Sequence, residues 1–167
     1  MGEENPRLTP VTTIQIANRQ TLLPIDEGAI RRAVRAVLAG RDAEKTTVSV
    51  AVVDDQTISG LNDRFLGHRG PTDVLSFVLE QAAGVLDGEV VVSAETASRA
   101  APRFGWSAAE ELLLYVIHGA LHLAGYDDAT PAQRAAMRRQ ETKHLALLGI
   151  RAHHKAEAGG RKAAEKH

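Results

Sequence analysis

The sequence predicts an α+β fold: a small mixed β-sheet packed with helices, one of them central and buried. Short runs rich in β-branched residues alternate with helical patterns in the first half of the chain. Three helical patterns then follow one another, and the middle one is apolar on nearly every side. This order of strands and helices is typical of an α+β domain.

Composition limits the classes of function. The 167 residues are enough for one well-packed domain, and 20 Lys plus Arg against 21 Asp plus Glu give a net charge of −1. Any nucleic-acid contact must therefore come from a local patch. The absence of cysteine excludes disulfides, thiolate metal ligands and a thiol nucleophile. Without a long apolar run or a secretory signal at the start, the sequence predicts a cytoplasmic protein with no membrane partner.

The first half of the chain contains two strand and helix pairs. Apolar residues alternate with polar ones over residues 12–17, which predicts a half-buried strand. Asp26 is suited to cap an amphipathic helix that follows. Residues 47–53 are β-branched and predict a central strand, and residues 56–66 have near-helical apolar spacing.

Two further strands and three helices complete the predicted domain. Glycine-rich residues 67–70 form a loop, and residues 72–79 and 89–93 predict strands. The helices that follow have cap signals at their starts. These signals are Ser93, Ser107 with Glu110, and Thr130 with Pro131 and Gln133. We predict a single domain over residues 1–150 and a disordered charged tail over residues 151–167.

Two histidines on the middle helix have the spacing of metal ligands. His118 and His122 are four residues apart, so both imidazoles project from one face of the helix. Burying two imidazoles side by side is unfavourable unless a cation binds their lone pairs. Gly125 can end the helix in a left-handed turn, and oxygen-bearing side chains follow it at Tyr126, Asp127 and Asp128. The sequence therefore predicts a metal site on the central buried helix.

Two long motifs of this chain resemble the YbeY family of metal-dependent endoribonucleases. The family pattern His-Gly-x-Leu-His-x-x-Gly-Tyr-Asp-His is matched from His118 to Asp127. A second family segment is matched by Asn62, Phe65 and the run from Pro71 to Phe77. The resemblance covers residues 14–150.

The resemblance implies a zinc-dependent, single-strand-specific endoribonuclease of the cytoplasm. Its implied role is maturation of the 3′ end of 16S ribosomal RNA, with further roles in ribosome biogenesis and ribosome quality control. The implied partners are ribosomal RNA and the small ribosomal subunit, and no DNA partner is expected.

Two positions depart from the family pattern. The third histidine ligand falls on Asp128, and the usual arginine after the aromatic residue falls on Leu66. Aspartate is a legitimate zinc ligand, so we expect His118, His122 and Asp128 to be both the metal ligands and the catalytic residues. The carboxylate lowers the charge of the centre, so another divalent metal is an alternative to Zn²⁺.

The residues around this centre have expected roles of their own. Asp127 and Tyr126 are expected to orient the ligands from outside the metal's immediate shell. The candidate RNA contacts are Arg69, Arg64, His68 and Thr72.

Three other functions remain to be compared with the nuclease. A ribosome-associated RNA-binding or assembly factor would hold a structural metal, normally with four protein ligands, and have weak or no nuclease activity. A metalloprotease would need a glutamate where this chain has Gly119. A hydrolase of small molecules would show a deep apolar pocket.

Overall fold

The computed structural model of the protein describes residues 9–41 and 43–152, and the predicted order of elements is confirmed. The four strands are β1 (Val11–Asn18), β2 (Lys45–Val53), β3 (Val74–Ala82) and β4 (Val85–Ser93). The five helices are α1 (Glu27–Leu38), α2 (Asp55–Leu66), α3 (Ala94–Phe104), α4 (Ala108–Leu123) and α5 (Pro131–Leu147).

The strands form one mixed sheet in the order β1-β2-β4-β3. The pairs β1–β2 and β2–β4 are parallel, whereas β3 is an edge strand antiparallel to β4. Helices α1 and α2 therefore connect parallel or non-adjacent strands, while β3 and β4 form a hairpin around Gly84. The α+β class predicted from the sequence is confirmed.

Successive side chains of a strand point to opposite faces of the sheet, and each face is covered by a hydrophobic core. The two cores differ in size. Val50 of β2 and Val90 of β4 point into the larger core, where α1 and α4 pack on the sheet. Val53 and Val91 point to the opposite face, where a smaller cluster includes Ile58 of α2. Because α4 also contacts α3 and α5, it is covered on several sides. This burial explains why its sequence is apolar nearly all round.

The strands differ in their limits from the predicted ones. β4 begins at Val85 rather than residue 89, because Asp87 and Gly88 interrupt the apolar pattern without leaving the ladder. A Cβ at Gly88 would lie 2.8 Å from the Leu123 side chain of α4. The glycine that resembles a loop residue in the sequence is therefore required by close packing of a helix on the strand.

A partly buried polar cluster joins the start of α2 to α3. Asp55 accepts hydrogen bonds from the hydroxyls of Ser93 (2.7 Å) and Thr96 (2.8 Å), and its other oxygen lies 2.6 Å from Arg99. Burial raises the pKa of the Asp55 carboxyl, but the hydrogen bonds of Arg99, Ser93 and Thr96 more than offset it, so the pKa is lowered overall. The cluster stabilises the ionised carboxylate.

Replacing Asp55 with asparagine is expected to lower the free energy of unfolding at pH 7 by about 1–3 kcal/mol. The folded pKa is depressed, so this stabilisation is present above the ordinary carboxyl pKa and is lost as pH falls through the folded value. Urea denaturation should therefore show a difference at pH 7 that shrinks below about pH 4. A difference that stays constant with pH would contradict an electrostatic origin. Asp54→Asn retains the N-cap acceptor and serves as the control.

The predicted division of the chain stays a prediction at both ends. Residues 1–8 and 153–167 lie outside the described residues, and so does nearly all of the predicted tail from 151 to 167. Ala152, at the end of the described chain, packs against the larger core. No helix in the described part of the chain combines the length and apolar character needed to cross a membrane.

Candidate metal centre

Helix α4 carries the two predicted histidines and is fixed at its start and middle. Ser107 and Glu110 form the predicted capping box, with reciprocal hydrogen bonds of 3.1 Å. In the middle of the helix, Gly119 lets α4 approach the sheet so closely that an added Cβ would lie 2.5 Å from Val90. The hydroxyl of Ser76 donates to the carbonyl of Gly119 at 3.0 Å. The position of His118 is therefore set by contacts of the neighbouring glycine.

The turn after α4 brings the candidate third ligand, Asp128, back to the histidines. Gly125 has a φ of +101°, in the left-handed region that the sequence predicts for it. The backbone N–H of Tyr126 then donates to the carbonyl of Leu121 at 3.0 Å. Arg41 donates to the carbonyl of Leu123 at 2.8 Å, which satisfies an otherwise open carbonyl at the end of the helix.

Three ligand atoms converge at the end of this turn. The Nε2 atoms of His118 and His122 are 2.9 Å apart, and Oδ2 of Asp128 lies 3.4 Å from the first and 3.5 Å from the second. A tetrahedral zinc with bonds of about 2.0–2.2 Å needs ligand atoms about 3.3–3.6 Å apart. The two distances to Asp128 match this range, and the distance between the two nitrogens must widen slightly. These three residues also form a potential metal-binding group by the closeness of their ligand atoms.

The outer nitrogens of both rings face oxygen acceptors. Nδ1 of His122 lies 2.8 Å from the carbonyl oxygen of Tyr126, so this nitrogen carries a proton and donates it. Nδ1 of His118 faces the Glu141 carboxylate at an ion-pair distance of 3.6 Å. In the neutral rings, protons on the outer nitrogens leave the Nε2 lone pairs available at the centre, as metal binding requires.

The electrostatics of the centre favour a positive charge. Burial lowers the pKa of His118, but the carboxylates of Asp128 and Glu141 and the charge of Asp73 raise it to about 9. Positive charge at His118 is thus stabilised in a place where the side chains are largely shielded from water. A divalent cation would satisfy the same carboxylates, so the residues fit a metal.

Glu141 is a site residue that reasoning from the sequence missed. It lies on α5, is 6% exposed, and shares the buried face of that helix with Met137 and Leu145. A glutamate four residues from each of two buried apolar residues is unusual on a packed face. That spacing is visible in the sequence, but only the fold shows that the carboxylate meets His118.

The two residues expected to orient the ligands lie in the turn that carries Asp128. Tyr126 contributes its carbonyl oxygen, whereas its ring is exposed. The side chain of Asp127 accepts a hydrogen bond from the backbone N–H of Asp128 at 3.0 Å and so constrains the candidate ligand residue. The prediction that Asp127 orients a histidine stays a prediction.

The candidate RNA contacts are distributed around the loop before β3. Thr72 donates to Asp73 at 3.4 Å, and Asp73 contributes to the charge around His118. His68 and Arg69 are exposed, and the structure shows no contact that brings their described side chains to the metal ligands.

Arg64 and Leu66 are held on the other face of the sheet. The guanidinium of Arg64 stacks over the ring of Phe65 at 5.4 Å, and this ring packs against Phe77. Phe77 projects opposite to Ser76, which contacts α4. Leu66 packs against the smaller core cluster. An apolar side chain at position 66 therefore has a packing role, and it leaves the centre without a cation from this position.

Comparison with known proteins gives consistent matches. The family profile described as "Endoribonuclease YbeY" matches residues 15–149. A relative named "Endoribonuclease YbeY" from Rhodopirellula baltica is 45% identical over 123 residues, which cover 72% of this chain and 63% of the relative. The chain thus spans slightly less than two thirds of that relative.

Two other relatives are matched over nearly their whole length. Proteins of the same name from Chlorobium phaeovibrioides and Pelotomaculum thermopropionicum are each 36% identical, over 82% of this chain and 91% and 97% of theirs. The solution structure of the Thermotoga maritima protein TM1509 matches with a TM-score of 0.56 at 24% identity, covering 89% of this chain and 100% of that chain. The last match concerns the fold alone.

Proposed function

Because this chain belongs to the YbeY endoribonuclease family, we propose that it is a metal-dependent, single-strand-specific endoribonuclease that acts on ribosomal RNA. The proposed role is maturation of the 3′ end of 16S ribosomal RNA on the small subunit, with ribosome biogenesis, quality control and a cytoplasmic location as its setting. The observation that supports it most is the convergence of His118, His122 and Asp128 on one point.

The ligand number favours an enzyme over an assembly factor with a structural metal. Among the described residues, the ligand group consists of His118, His122 and Asp128. Three protein ligands are typical of catalytic zinc, whose fourth position is open, whereas structural zinc normally has four. Leu66 is the observation that favours the assembly factor, because it removes a cation expected to contact the substrate.

The residues of the chain prepare the centre for phosphodiester cleavage. A Zn²⁺ ion held here would supply Lewis-acid polarisation of the scissile phosphate and would lower the pKa of an attacking water. Glu141 and the Tyr126 carbonyl keep the imidazole protons on the outer nitrogens. Asp128 lowers the charge of the centre by one relative to a third histidine, which weakens the Lewis acid and makes manganese or ferrous iron an alternative metal.

Replacing each of the two neighbouring aspartates with alanine tests the ligand assignment. Asp128→Ala is expected to weaken Zn²⁺ binding by more than about 100-fold and to abolish most RNA cleavage. Replacing a residue that only orients a ligand usually weakens metal binding by about 10- to 100-fold. Asp127→Ala should retain the metal, because its contact is to the Asp128 backbone. Metal content after purification and competition with a chelator measure both.

Cleavage of a single-stranded oligoribonucleotide and its duplex form tests the activity itself. Wild type should cleave the single strand, lose activity with a chelator and regain it with Zn²⁺. If Asp127→Ala lost the metal and Asp128→Ala kept it, the ligand assignment would be reversed. A metal-loaded wild type without cleavage would instead favour the assembly factor.

A further inference from the structure

Helix α5 directs a basic flank toward the metal centre. Glu141 on this helix faces Nδ1 of His118 at 3.6 Å. Arg134 lies seven residues earlier, which is about two turns, so it projects from nearly the same face. Arg138 lies between them, one turn from Arg134. The face of α5 that meets His118 therefore carries Arg134 toward the start of the helix.

Arg134 contacts the segment that contains the third metal ligand. Its Nη1 donates to the carbonyl oxygens of Ala129 at 3.1 Å and of Asp128 at 3.4 Å. The side-chain Oδ2 of the same Asp128 lies 3.4 Å from Nε2 of His118. The guanidinium thus contacts the backbone of the same residue whose side chain lies at the centre. Arg134 is exposed to solvent.

The guanidinium has capacity for a second partner. The two bonds to the loop use one nitrogen of a group with five N–H donors. Its planar fork matches the oxygens of a phosphate, and a phosphate next to a metal centre carries charge that a neighbouring cation stabilises. Leu66 cannot provide this contact, and Arg64 is stacked on Phe65 on the opposite face of the sheet.

This proposal rests on the proposed nuclease function: we propose that Arg134 binds a phosphate of the RNA strand beside the metal centre. Arg134 is then a substrate-binding residue that supplies the phosphate contact missing at Leu66. The two bonds to the carbonyls of Asp128 and Ala129 fix the guanidinium in place, so the contact is formed by a pre-positioned side chain.

Binding of RNA as a function of salt tests this assignment. The metal-loaded full chain is titrated into a labelled single-stranded 2′-O-methyl oligoribonucleotide, and a gel verifies that the probe stays intact. Arg134→Ala should weaken binding about tenfold, as expected for one charge-assisted contact. The slope of log affinity against log salt should decrease by about 0.7, the value for one phosphate on a single strand.

Two variants distinguish this contact from general charge and from a structural role. Arg139→Ala removes the same residue type from the same helix at an exposed position about 140° around the axis, and it should leave affinity and slope unchanged. Arg134→Lys keeps the charge without the fork, so it should restore the slope while recovering only part of the affinity.

The outcomes also separate this proposal from the proposed function. The proposal would be overturned if Arg134→Ala bound the probe as tightly as Arg139→Ala. It would also be overturned if Arg134→Ala lost metal but bound the probe normally once reloaded with metal. In either case Arg134 would only stabilise the loop that carries Asp128. If wild type failed to cleave RNA, yet Arg134→Ala weakened binding as expected, the phosphate contact would stand and the nuclease function would not.

Discussion

Replacing His122 with alanine is expected to reduce RNA cleavage by about 10³-fold or more. Its Nε2 lies 2.9 Å from that of His118 and 3.5 Å from Asp128, so its loss leaves two ligand residues. Lewis-acid stabilisation of a developing charge amounts to several kcal/mol, and about 1.4 kcal/mol corresponds to a tenfold change in rate. Initial rates on a single-stranded oligoribonucleotide, together with metal content, measure the effect.

The controls for this experiment address folding and contamination. Arg35→Ala, at an exposed position of α1, should cleave like wild type after identical purification. Circular dichroism should show that the His122→Ala chain is folded. Equal cleavage by wild type, His122→Ala and His118→Ala would identify a contaminating nuclease and remove the support for a catalytic metal centre.

Replacing Gly119 with alanine is expected to lower the free energy of unfolding by about 1–3 kcal/mol, the usual effect of overpacking a core. The new methyl group would lie 2.5 Å from Val90 and 3.0 Å from Val74, and it would disturb the bond between Ser76 and the Gly119 carbonyl. Helix α4 must then move away from the sheet. Because His118 is the preceding residue, Zn²⁺ affinity should fall as well.

Gly60→Ala is the matched control for this substitution. Gly60 also lies within a helix, but an added Cβ there meets nothing within 4 Å. Alanine at an open helical position stabilises by about 0.5–1 kcal/mol, so the two variants should change stability in opposite directions. Urea denaturation with a chelator present makes the comparison independent of metal binding. Two stabilising substitutions would contradict the close approach of α4 to β4.

The order of elements was predictable because local signals coincide with the final structure. Asp26, Ser93, Ser107 and Thr130 each cap the helix that the sequence assigns to them. These signals depend on neighbouring residues, so they can be read without tertiary structure. The limits of β3 and β4 were less predictable, because pairing with a partner strand and contact with α4 extend them through polar and glycine positions.

The metal centre was predictable in part for the same reason. His118, His122 and Asp128 lie within eleven residues of one another, so helical spacing and a glycine turn suffice to bring them together. The orientation of the rings depends on contacts that do not follow from spacing. The Tyr126 contact uses a carbonyl oxygen that every residue possesses, and Glu141 belongs to another helix.

The amino-acid sequence by itself determined the α+β class, the buried helix, the three candidate ligand residues and the family, because each depends on local periodicity or on short motifs. Only the tertiary structure decided that Glu141 of α5 meets His118 and that Arg134 of α5 contacts the loop carrying Asp128. It also decided that Leu66 and Arg64 lie on the far face of the sheet. The physical reason is that the packing of α5 against α4 and the alternation of β3 fix which distant side chains meet.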